Sequence, residues 1–302
     1  MYQYMYKIAG MRMRCWIPFP VVIQEEGKEF FFLDKAEGQR ASENGWDDAR
    51  AFFRPVKKLP DVPEKAVYWS DHFYSRDREG RYQVHCCPGP DKPPYACVLW
   101  EQDKEGRPVI TCSYLTGNEF RFGYSRMISD HIGMETFFLY NKCLMLHASF
   151  IRWRGKGILF TAPSGTGKST QADLWKKYEN AEILNGDRAA VRKAEDGCWR
   201  AYGLPYAGSS GIYRNENAVL EAVIVLRQAK ENRLRNMGHL EMLRALYPET
   251  TIHHWEKEFI ENAVTLLTEL ADEIPFYLLE CRPDRGAVDA VKNVLIGGVN
   301  LC

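Results

Sequence analysis

This chain of 302 residues has no excess of charge: forty Lys and Arg stand against forty Asp and Glu, a formal net of zero. Bulk electrostatics therefore recruits neither nucleic acid nor an anionic membrane, and any polyanion must be met by a local site. No apolar run approaches the ~20 residues of a spanning helix. The start, Met1-Tyr2-Gln3-Tyr4-Met5-Tyr6-Lys7, lacks a basic segment leading into an unbroken apolar one. A cytoplasmic location is the expectation. Cysteine is also sparing in pattern: the nine are odd in number and no two form C-x-x-C, and a chain this long folds without disulfide staples. Cys15, Cys86, Cys87, Cys97, Cys112, Cys143, Cys198, Cys281 and Cys302 read as reduced, mostly buried thiols, with a zinc or redox site as the alternative. There is no internal repeat and no low-complexity tract. What is present is globular: 45% hydrophobic, 13% aromatic and 26% charged residues, enough chain for two domains.

Residues 1–125 read as a β-rich domain of short strands at 6–15, 30–33, 81–87, 96–101, 109–115 and 120–124. Proline and charge mark exposed loops at 54–65 and 88–94, since proline cannot donate a ladder hydrogen bond. Tyr68, Trp69, Phe73 and Tyr74 flank Ser70-Asp71-His72, a patch covering a sheet or, alternatively, a binding platform. The pattern changes at Ser125, and residues 126–302 read as a second domain of α/β type. A helical stripe covers 127–140; strands follow at 144–154 and 157–161, joined by a turn at Gly155-Lys156-Gly157. A glycine-rich loop then leads into a helix at 169–178. Further strands are expected at 182–191, 199–202, 222–226 and 276–281, and helices at 239–246, 256–273 and 284–295.

Between the strand ending at Thr161 and its helix runs Ala162-Pro163-Ser164-Gly165-Thr166-Gly167-Lys168-Ser169-Thr170. It fits the phosphate loop G-x-x-x-x-G-K-[ST] with Ala first. Gly165 and Gly167 can take backbone angles closed to other residues, which turns successive N–H groups inward as a nest for phosphate oxygens. The helix dipole and the Lys168 ammonium add positive charge, and the Ser169 hydroxyl is a Mg²⁺ ligand. The alternative, a glycine turn capping an ordinary helix, leaves Lys168 where its charge opposes the dipole. Asp187, in Asn185-Gly186-Asp187-Arg188 after an apolar run, is the carboxylate a nucleotide-bound Mg²⁺ wants, or else a turn residue of a hairpin. His147, in Leu146-His147-Ala148-Ser149, lies on the strand that folds back onto the one feeding the loop; it is a site residue or a satisfied structural histidine.

Together, Leu146-His147-Ala148-Ser149, Gly155-Lys156-Gly157, the loop 162–170, Asn185-Gly186-Asp187-Arg188 and the stretch Gly203-Leu204-Pro205-Tyr206-Ala207-Gly208-Ser209-Ser210 resemble the catalytic domain of HPr kinase/phosphorylase-related proteins. That family shares its core with ATP-dependent phosphoenolpyruvate carboxykinases. The resemblance spans about residues 140–300 and implies a P-loop kinase domain with a mixed sheet, to which the N-terminal β-rich domain is added. It also implies MgATP held by Ser164, Gly165, Thr166, Gly167, Lys168, Ser169 and Thr170, a metal held by Ser169 and Asp187, and His147 at the reaction centre. The family's paired acids are broken here, with Gly186 in the place of the first. Asp187, His147 or another group must then serve as base. Self-association is compatible with the resemblance.

The expectation is an ATP-dependent kinase that moves the γ-phosphoryl group to a hydroxyl of an unidentified acceptor, whether small molecule, peptide or protein serine. Lys168 carries the charge, His147 orients or deprotonates the acceptor, and Arg188 neutralises the migrating group. The competing expectation is a MgATP-binding regulatory protein without phosphotransfer. A carboxykinase would need further Arg, Lys and His ligands.

Overall fold

The computed structural model describes residues 1–34 and 47–297, and Cys302 lies outside the described residues. The chain divides into two units, Met1–Phe137 and Phe138–Cys302. The expected change at Ser125 coincides instead with the first helix of the first unit. Each unit is built on its own mixed sheet.

In the first unit the expected strand 6–15 is a hairpin of β1 (Tyr2–Ile8) and β2 (Met11–Ile17), turned at Ala9 and Gly10 with φ 53° and 73°. Then come β3 (Phe31–Leu33), β4 (Ala49–Val56), β5 (Val67–Trp69), β6 (His72–Arg76), β7 (Tyr82–Cys86), β8 (Ala96–Gln102) and β9 (Pro108–Leu115). Their order across the nine-stranded sheet is β3-β1-β2-β4-β9-β8-β7-β6-β5. Strand β4 runs parallel to both neighbours and passes through Pro55, in a stretch expected to be loop. Past Phe52 it pairs only with β9, and a strand with one open flank tolerates a missing N–H.

Two other expectations fail in this unit. Residues 120–124 do not form a strand but lie in and after a 3₁₀ turn, Glu119–Phe122, whose Phe122 is buried against the rings of Phe53, Tyr95 and Tyr114. The helix 127–140 is broken into α1 (Ser125–Ile132) and α2 (Met134–Tyr140) by Gly133 at φ 75°. The aromatic patch forms the outermost hairpin of the sheet: Tyr74 is buried while Trp69 is 52% exposed.

The second unit begins with β10 (Cys143–Trp153) and β11 (Lys156–Thr161), closed by Arg154 and Gly155 at φ 50° and 78°. After them come α3 (Lys168–Glu179), β12 (Glu182–Asn185), β13 (Arg188–Lys193), β14 (Trp199–Gly203), β15 (Asn217–Gln228) and β16 (Arg233–Asn236). Last are α4 (His239–Leu246), α5 (Lys257–Glu273), β17 (Phe276–Cys281) and α6 (Arg285–Gly297). Strand order is β11-β10-β13-β14-β15-β17-β16, and β11 also pairs with β15, so five strands close on themselves. Strands β11, β15 and β17 are mutually parallel, which gathers their carboxyl ends at one edge. Helices α3 and α6 cover that core through Trp175, Ala172, Val288 and Val291, against Ile158, Phe160, Ile224 and Leu279. Burying a side chain of Val or Leu size contributes about 1.5–3 kcal/mol, so this layer holds the loop before α3 firmly. The short strand β16 was not legible as a strand, being half-exposed and charged.

Candidate functional site

The glycine loop leaves the carboxyl end of β11 and enters α3. Gly165 and Gly167 take φ 78° and 120°, and a Cβ built on either would meet nothing within 4 Å. The glycines are thus required by backbone angle rather than by crowding, and the space above them is open. Ser164, Gly165, Ser169 and Thr170 are exposed, and Thr166 is partly so. Lys168, by contrast, is buried, with its ammonium donating to the carbonyl of Ala162 at 2.7 Å. Burial pushes its pKa down, while the charges of Glu249 and Asp187 pull it back up. Gln228, at the end of β15, donates from its side chain to the Thr166 carbonyl at 3.3 Å and steadies the loop from the neighbouring parallel strand.

The second part of the site is the carboxylate turn, whose Asp187 acts on Lys168 through its charge. Residues 182–193 run antiparallel along β10 in two stretches, with Phe150 facing Asn185 and His147 facing Arg188. The expected single strand 182–191 is therefore interrupted, and the interruption is Gly186-Asp187. Asn185 causes it: fully buried, its side-chain oxygen accepts the N–H groups of Asp187 and Arg188 at 2.8 and 2.9 Å. Its amide donates to the Leu204 carbonyl at 2.7 Å. Breaks of this kind re-aim a side chain beside a strand. Here the break brings Asp187 Oδ1 to 3.6 Å from His147 Nε2. Strands β12 and β13 both pair with β10 and not with each other, so the hairpin alternative for Asn-Gly-Asp is not what forms.

The other ring nitrogen of His147, Nδ1, meets Glu249 Oε2 at 2.8 Å. Glu249 is buried, a position sequence reasoning missed. It lies in the 3₁₀ turn Tyr247–Glu249 after α4, and the chain past it docks on β10: Leu146 bridges to Thr250, and the Thr251 N–H donates to Met145 at 2.8 Å. The available signal was Pro248 ending the helix ahead of Thr250-Thr251, two β-branched residues suited to strand pairing. Arg188 lies alongside, Nε at 3.6 Å from Asp187 and Nη1 donating to Thr251 Oγ1 at 2.7 Å. Thus His147, Lys168, Asp187 and Arg188 fall in one unit with Glu249 among them.

Among the described residues no three His, Cys, Asp or Glu side chains form a metal cage. Ser169 and Asp187, the two oxygen donors expected to hold a metal, are exposed and half-buried respectively. The described cysteines are all free; Cys198 and Cys281 are partly exposed and the rest are buried. Among the described residues no helix is long and apolar enough to cross a membrane.

The second unit is thus a mixed α/β fold with a positive-φ glycine loop and a histidine between two carboxylates, whose charges act on the loop's Lys168. The chain belongs to the family of the SynChlorMet cassette protein ScmC, whose model matches residues 136–287. Among solved structures, the Hpr(Ser) kinase/phosphatase from Coxiella burnetii is similar at 11% identity and TM-score 0.30, over 49% of this chain and 94% of that one. No curated protein matches the chain.

Proposed function

We propose that the Phe138–Cys302 unit is an ATP-dependent phosphotransferase acting on a hydroxyl. The observation that carries this reading is a pair of groups in one unit, linked by the charges of Glu249 and Asp187 acting on Lys168. One is a glycine loop whose left-handed residues open onto empty space and whose Lys168 stands at the start of α3. The other is His147, held at both ring nitrogens by Glu249 and Asp187. The backbone of residues 164–170 would hold the phosphates, with Lys168 leaving the Ala162 carbonyl for the incoming oxyanion. Ser169 and Asp187 would hold Mg²⁺, which neutralises charge on the phosphates when bound. His147 takes the acceptor's proton, and Glu249 fixes the ring's orientation. Arg188 stabilises the migrating group.

Gly186 supplies no carboxylate, which favours the second reading, nucleotide binding that orders the unit without transfer. Glu249 answers it, because a buried acid on His147 makes a base available without a residue at 186. The two readings separate on incubation of cell extract with γ-labelled ATP and the protein. Phosphotransfer expects label on an acceptor hydroxyl, lost at least 100-fold in Lys168→Ala. Absence of any labelled acceptor, with MgATP still raising the melting temperature, selects the regulatory reading.

A further inference from the structure

A serine turn stands against the carboxylate of this site. Gly208–Ser210 forms a single 3₁₀ turn followed by Gly211, and Gly208 and Gly211 hold φ 54° and 65°. Ser209 and Ser210 are therefore presented between two residues in the left-handed region, a geometry that costs other residues about 1–2 kcal/mol. The turn packs on the Gly186-Asp187 interruption. A Cβ built on Gly208 would come within 2.7 Å of Asp187 Cβ and 3.0 Å of its Oδ1, so the Gly208 backbone lies directly on the carboxylate side chain. A Cβ on Gly186 would overlap Ser210 Oγ, so the space that a side chain at 186 would fill belongs to this turn.

The two hydroxyls differ. Ser210 Oγ donates to the Ala207 carbonyl at 2.7 Å and accepts the Ile212 N–H at 3.2 Å, and both bonds hold the turn in shape. Ser209 is exposed, and its hydroxyl has no hydrogen-bond partner among the described residues. It follows directly on Gly208, whose backbone lies on Asp187, and so is an unpartnered alcohol beside the carboxylate turn.

We propose that Ser209 is an internal acceptor, phosphorylated by its own chain. The proposal rests on the phosphotransferase reading and names one substrate of it. Ser209 Oγ bonds the γ-phosphorus as the bond from that phosphorus to the β–γ bridging oxygen breaks. ADP leaves with the electron pair, and the hydroxyl proton passes to His147. The product carries roughly −1.5 to −2 charges near Asp187, which opposes return of a nucleotide triphosphate.

The test is full-length protein with γ-labelled ATP and Mg²⁺, followed by mass mapping of the peptide carrying residues 207–214. Expected is one phosphoryl group on Ser209, formed at a first-order rate unchanged over a tenfold range of protein concentration. It should be absent from Lys168→Ala and from Ser209→Ala, the latter still stabilised against heat by MgATP. Label on another residue, or a rate proportional to protein concentration, overturns the proposal. So does an unlabelled 207–214 peptide while Lys168-dependent transfer to extract acceptors persists, which leaves the phosphotransferase reading standing. Loss of every Lys168-dependent transfer takes both down.

Discussion

At the residue scale, the proposed transfer depends on Glu249 as much as on His147, since the two are bonded at 2.8 Å. A carboxylate on one ring nitrogen fixes which nitrogen faces the acceptor, so removing its charge misdirects the ring without emptying the space. Glu249→Gln should lower kcat roughly 10–100-fold, a share of the ~10²–10⁴ that a positioned acid or base contributes. KM for ATP and the melting temperature should change little. Because the two residues act as one unit, Glu249→Gln on top of His147→Ala should add less than threefold. Additive losses in steady-state kinetics would show instead that Glu249 acts on its own. Lys168 presents the complementary case: buried and bonded to a loop carbonyl, it is stored in place rather than waving in solvent.

At the scale of elements, the site is made by two interruptions in otherwise regular structure, the glycine loop between β11 and α3 and the break between β12 and β13. Gly186→Ala should destabilise by about 1–3 kcal/mol through overpacking against Ser210. Because Ser210→Gly also removes the bonds of its hydroxyl, the comparison is with that single variant: adding Gly186→Ala to Ser210→Gly should cost little, measured as urea midpoints. An equal cost of Gly186→Ala in both backgrounds would mean that the overlap is not the cause.

The glycine loop was legible because positive φ demands glycine and glycine leaves a sequence signature. The strands β10, β11 and β17 and the helices α3 to α6 were legible for a similar reason, since their apolar faces repeat. The break at Gly186-Asp187 was legible only as a turn. What shapes it is the buried side chain of Asn185, and a tertiary hydrogen bond to Leu204 has no local pattern. Glu249 was invisible because it reaches His147 across 102 residues of sequence, an interval that holds strands β11 to β16 and helices α3 and α4. Only the end of strand β4 falls in the expected loop 54–65, because Pro55 argues against a strand only where both flanks are paired.

At the scale of the whole molecule, the two sheets carry different chemistry. In the first unit, burial pushes His131 down to about 4 from 6.5, against the pull of the Met127 carbonyl, and His72 and Arg121 add to the depression. Its neutral ring accepts from Tyr95 Oη at 2.7 Å. The native state thus binds fewer protons than the unfolded one between these values, so stability falls as pH drops from 6.5 toward 4. The loss is at most about 3 kcal/mol, less because the ring edge meets solvent. His131→Phe should flatten that slope in urea unfolding between pH 7 and pH 5; an unchanged slope would assign the acid sensitivity elsewhere.

The proposed activity of the second unit requires that the loop at Gly165 and Gly167 bind phosphate. It is tested most directly by the melting temperature of wild type and Lys168→Ala as MgATP is titrated. At a hundred times Kd, wild type should gain about 2.7 kcal/mol of stability, with Lys168→Ala gaining little at the same concentration and keeping its nucleotide-free melting temperature. Equal stabilisation of both proteins, or none of either, would contradict it.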